Sequence, residues 1–164
     1  MKRVIVGVVA LAAAASASAA TANFLLLPPA APAGQFTLYG HVKKLTRAGT
    51  GRYVLRFDPA MFTSGITASV AKKEDTGSSD VPNDNYVVEE SHRLYSYSMP
   101  SGAKVTVLTN HGTQGISATP ISVAELYRIV NGGPHRKLFE PLDSGVWIRV
   151  RIDTVKELDQ QYQP

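Results

Sequence analysis

The chain contains no cysteine, and that absence excludes several things at once. No disulfide can staple the fold, no thiolate can act as nucleophile or metal ligand, and no lipid-modified cysteine can tether an exported form. Stability must come from the core. An apolar run long enough to cross a bilayer as a helix is missing too, because residues 4–15 supply about twelve residues where roughly twenty are needed. With Lys2 and Arg3 before it and small residues after it, this run reads as a secretory signal peptide. Small-x-small spacing places cleavage after Ala19, Ala20 or Ala22. The expectation is therefore an exported protein, secreted or periplasmic and associated with the cell envelope, and not an integral membrane protein.

Strong net charge is also lacking. The 17 basic and 13 acidic residues give +4, and taking Lys2 and Arg3 from the basic side leaves 15 against 13, or +2. Such a chain has no bulk attraction for nucleic acid or membranes, so no nucleic-acid partner is expected.

Catalytic and metal signatures are the last absence. His41, His92, His111 and His135 fall at no metal spacing, and no thiol joins them. Asp80, Asn83, Asp84, Asn85 and Glu89 gather oxygen ligands, but a twelve-residue calcium loop needs a glycine at its sharp turn and a closing glutamate, which this stretch lacks. Neither a metal nor a cofactor is expected. Ser91-His92 beside Glu89 and Glu90 has the letters of a catalytic triad, yet neighbours on a strand or turn point different ways and no strained elbow presents the serine.

What is present is a β pattern. Beyond the signal (residues 1–22), residues 23–34 hold three prolines among alanines and read as a semi-rigid linker. Residues 35–164 are then one domain, long enough to bury its own core. In residues 36–43, Phe36, Leu38, Gly40 and Val42 alternate with Thr37, Tyr39, His41 and Lys43, which predicts a strand with one wet face. Residues 52–57 alternate likewise, with Tyr53, Leu55 and Phe57 inward, and the turn RAGTG joins the two as a hairpin. Asp58-Pro59 is expected to stop that second strand. Residues 66–73 are a weaker helix candidate, and residues 76–85 a polar loop.

Three short strands are expected at 86–90, 93–99 and 104–109, paired as an antiparallel meander because no crossover fits between them. Residues 111–120 read as a loop. Residues 123–130 are the clear helix, with Ser122 and Glu125 at capping-box spacing and Val123, Leu126, Ile129 and Val130 on one face. Residues 145–153 are the strongest strand, and the tail after Val155 is open between helix and extended chain. The fold class is mainly β: a small antiparallel β-barrel resembling the oligonucleotide/oligosaccharide-binding fold, with one short capping helix, and a β-sandwich as the alternative.

On the wet strand faces lie Tyr39 and His41, then Arg52 and Arg56, then Trp147, Arg149 and Arg151. If these strands are neighbours, aromatics interleave with guanidinium groups, a surface suited to an anionic or carbohydrate polymer of the envelope. The competing reading is that exposed arginines simply keep a sheet soluble. An enzyme reading would instead assemble Asp84, Glu89, Glu90 and His92 as paired acids and a base of hydrolase type.

The phrases VPNDNYVVEESHRLYSYSMP, ISVAELYRIVNG and LFEPLDSGVWIRVRIDTVKELDQQYQP together resemble a group of small exported bacterial proteins of actinobacterial type with no assigned role. The resemblance covers roughly Phe36 onward. It implies an exported single domain, and it brings no catalytic residues with it.

Overall fold

Residues 36–64 form one long antiparallel ribbon around which the rest of the chain is built. The computed structural model describes residues 30–89, 93–110, 112 and 115–163. The stretch read as a signal peptide and most of the stretch read as a linker fall outside the described residues. Strand β1 (Phe36–Arg47) pairs with β2 (Arg52–Ser64) across the glycine-rich turn at 48–51. The predicted hairpin forms, with Tyr53, Leu55 and Phe57 buried as expected. A bulge between Val42 and Lys44 bends β1 and shifts which residues face outward.

Asp58-Pro59 does not stop β2, which continues to Ser64. The reason lies on its outer edge, where two strands dock end to end. Strand β3 (Asn85–Glu89) pairs with residues 60–64, and β4 (Tyr95–Pro100) pairs with residues 52–57. Pro59 falls in the gap between them, where no strand on that edge requires its missing N–H. On the other edge the backbones touch closely: a Cβ added at Gly40 would lie 2.1 Å from the Asp58 carbonyl oxygen, so only glycine fits.

Strands β1, β2 and β4 continue through β8 (Thr154–Gln160) to β7 (Val146–Arg151) and back to β1, a closed five-stranded barrel. Closure depends on β4 meeting β8 in parallel, whereas the other four contacts are antiparallel. The mainly β barrel agrees with the sequence reading, but it is not wholly antiparallel. Strand β5 (Lys104–Asn110) adds to β8, also in parallel, and β6 (Ile116–Ile121) pairs with β5.

The meander is corrected by this order. Strands β3, β4 and β5 all form, yet none of the three pairs with another of them: β3 pairs with β2, β4 with β2 and β8, and β5 with β8 and β6. The tail resolves as β8. Strand β6 replaces the loop expected there; its Pro120 is tolerated because β6 is an edge strand.

Both helix candidates form: α1 (Gly65–Thr76), on the β2–β3 side, covers the weaker one and runs beyond it, and α2 (Val123–Val130) packs on the barrel core. Helix α2 begins as predicted, the Glu125 N–H donating to Ser122 Oγ at 3.1 Å. Glu125 itself turns away to hold Arg136 through two bonds at 2.6 and 3.1 Å, so only half of the capping box is made. Val123 and Leu126 are fully buried beside Leu45, Val105 and Leu158, each worth about 1.5–3 kcal/mol of burial. At the end of α2, the Asn131 amide donates to the Leu45 carbonyl at 3.0 Å and fixes the helix to β1.

Candidate functional site

Two outer faces of the barrel carry the side chains singled out in the sequence. On the first, Tyr39 and Trp147 stand opposite each other across β1 and β7, their rings 4.9 Å apart. Phe62 of β2 joins them, 5.2 Å from Tyr39 and 5.7 Å from Trp147. This face is roofed. A 3-10 turn (Leu142–Ser144) and residues 161–163 fold over it, so that Tyr39 Oη donates to the Ser144 carbonyl at 3.1 Å and accepts from Gln163 Nε2 at 2.6 Å. Trp147 Nε1 donates to Gln161 Oε1 at 2.6 Å.

Tyr39 is thus 3 % exposed, although it sits on the outside of the barrel. Burial pushes its phenol up to about 12. Gly145 permits the roof to descend, for a Cβ there would fall 2.0 Å from Tyr39 Oη. Arg149, on the same face, is committed to Glu157 at 2.9 Å and lies 4.0 Å from Asp159. Asp159 is nonetheless raised above the ordinary aspartate value, because burial and the neighbouring Glu157 outweigh Thr106, Arg149 and Lys104.

The second face is open. Register sets Lys44 beside Arg56 and Arg56 beside Ser96, then Thr46 beside Val54 and Val54 beside Ser98, with Arg52 opposite Pro100. Ser98 is followed round the barrel by Thr154 and then Arg151. Lys44, Arg52, Arg56 and Arg151 are all exposed. Arg56 donates to Ser96 Oγ at 2.6 Å, and none of these four cations enters a salt bridge among the described residues. Asp153, in the β7–β8 turn, stands at the rim.

The strands expected to be neighbours therefore are: β2, β1 and β7 lie in that order. The seven residues do not form one continuous wet face. Tyr39, Trp147 and Arg149 belong to the roofed face, whereas Arg52, Arg56 and Arg151 flank the open one. From Tyr39 to Lys44 is five residues along β1, roughly 16 Å at the strand rise.

His41 belongs to a third place, a groove of about 350 Å³ lined by His41, Lys43, Asp58, Glu89 and Asp143 around Val42. Its Nδ1 faces the Asp143 carbonyl at 3.0 Å and its Nε2 faces Glu89 Oε1 at 3.0 Å. Both ring nitrogens meet acceptors; a neutral imidazole donates to one of them and an imidazolium to both. Lys43 Nζ holds Asp58 Oδ2 at 3.1 Å. Sequence reasoning placed Lys43 with His41 on one strand face but missed Asp58 and Asp143 beside them, because these are brought in by a strand that runs through a proline and by a distant 3-10 turn.

Of the acids grouped in the enzyme reading, Asp84 sits in the turn before β3 and Glu89 ends that strand, at most roughly 17 Å away along the chain. Glu90 and His92 fall outside the described residues. Among the described residues, no three histidine or carboxylate side chains converge to hold a metal ion. No described helix is long and apolar enough to cross a membrane. Comparison with protein-family models, with curated proteins and with solved structures finds no match.

Proposed function

We propose that this is an exported, non-catalytic binding domain of the small actinobacterial type. It takes an anionic envelope polymer, such as an acidic polysaccharide, on the open face of β2 and β4. The observation that carries the reading is the set Lys44, Arg52, Arg56 and Arg151, free of salt bridges among the described residues, around the short side chains of Ser96, Ser98 and Thr154. Cations without an internal carboxylate partner keep their charge for an outside anion, and guanidinium groups bind sulfate, phosphate or carboxylate oxygens in pairs. A five-stranded barrel closed by a helix also suits the oligonucleotide/oligosaccharide-binding type, whose ligands lie across the second and third barrel strands. Here those strands are β2 and β4. The near-neutral chain makes such binding local to one face, not a consequence of overall charge.

Titration with dextran sulfate and with neutral dextran at several salt concentrations tests the reading. Saturable binding to the sulfated polymer alone, weakening steadily with salt, is expected. Equal affinity for both polymers, or none for either, would refute it.

A further inference from the structure

We propose a second binding site, in the His41 groove, for an organic cation: a primary ammonium group carried on an apolar chain. The Asp58 side chain is only 9 % exposed, and its two oxygens are treated unequally. Oδ2 receives Lys43 Nζ, whereas Oδ1 is buried in the wall of the groove with no hydrogen-bond partner. A buried carboxylate oxygen requires a donor. Glu89 and Asp143 also line the groove beside the Lys43 ammonium and the His41 ring, Glu89 with a carboxylate oxygen and Asp143 with its backbone carbonyl turned to the imidazole.

Val42, Lys43 and Asp143 also line an adjoining hollow of about 470 Å³, whose walls include Ile129, Val130, Leu138 and Phe139. Glu140 on that wall presents a second buried, unpartnered oxygen, Oε1. Acceptors thus lie at one end and along one side of a trough whose walls are apolar at Ile129, Val130, Leu138 and Phe139 and polar at Lys43 and His135. An anion is repelled there, a neutral molecule leaves the charges unmet, and no three ligands converge for a metal. An ammonium group brings three donors in a compact head, and its chain has an apolar wall to follow. Lys43 already demonstrates the fit, being an alkylammonium seated on Oδ2 while its side chain stays 47 % exposed.

The test follows the amide and imidazole resonances of His41 and Val42 by NMR during titration with n-hexylammonium, n-hexanol and hexanoate. Saturable shifts with hexylammonium alone are expected. Asp58→Asn should weaken them about tenfold. Lys43→Met removes the internal competitor and should tighten binding severalfold, a gain that a purely structural role for the pair would not give. If hexylammonium shifts these resonances no more than hexanol does, or if Lys43→Met folds and binds more weakly, the site is overturned. The three-probe comparison uses the unaltered protein, so it decides the matter even if a variant fails to fold. Nα-acetyl-lysine methylamide supplies the last arm: tighter binding than hexylammonium assigns the site to a lysine side chain on a peptide, and weaker binding to a free amine.

Discussion

The roofed β1–β7 face and the open β2–β4 face are built the same way, from outward residues alternating with core residues along each strand, with basic side chains on both. Their fates differ because of what lies above them. Residues 142–144 and 161–163 cover Tyr39 and Trp147, take up their polar atoms, and convert an outer barrel surface into a second small core. Nothing comparable covers Arg52 and Arg56 among the described residues. Alternation therefore says which side of a barrel wall a residue occupies, whereas exposure depends on segments far away in the chain.

The largest effect expected from breaking this contrast is at Gly145. Gly145→Ala places a methyl group against Tyr39 Oη, which its bonds to Ser144 and Gln163 prevent from retreating, and adds strain at φ 119°. A loss of about 3 kcal/mol is expected in urea unfolding. Trp147→Ala should cost about 2–3 kcal/mol by opening the same cluster. Arg52→Ala, by contrast, should stay within about 0.5 kcal/mol of the parent, since the side chain has no internal partner. Equal destabilisation by these two changes would erase the distinction between the faces.

Much of the scaffold was legible in the residues themselves. Period-two alternation placed β1, the first half of β2 and β7, and the Ser122 cap placed α2 to the residue. Strand pairing was not legible, since it depends on β8 entering between β4 and β5, a long-range event without local signal. Pro59 and Pro120 misled because proline excludes a residue only from positions where its N–H is needed. Of the candidate site, Arg52, Arg56 and Arg151 could be read as outward from alternation alone. The burial of Tyr39 could not, because its roof is contributed by residues more than a hundred positions away.

Two smaller effects sharpen the picture. Asp159 has a raised pKa in the folded state, so the folded chain holds its proton more tightly than the unfolded chain. Its contribution to stability therefore falls as pH rises through the window between the ordinary aspartate value and the raised one, and is recovered on acidification. Asp159→Asn should flatten that part of the stability-versus-pH curve; an unchanged slope would assign the effect to another group. In the β7–β8 turn, Ile152 adopts φ 44° while 83 % exposed, a left-handed conformation poorly suited to a branched side chain. Ile152→Asn should raise stability by about 1 kcal/mol, read as a higher urea midpoint.

The most direct test of the central claim compares elution from immobilised dextran sulfate for two variants, Arg52→Ala/Arg56→Ala and Arg149→Ala. The double variant should elute at clearly lower salt while unfolding at the parent's urea midpoint. Arg149→Ala, whose guanidinium is spent on Glu157, should elute with the parent while unfolding earlier. The reverse pattern, retention lost with Arg149 and kept without Arg52 and Arg56, would contradict the account.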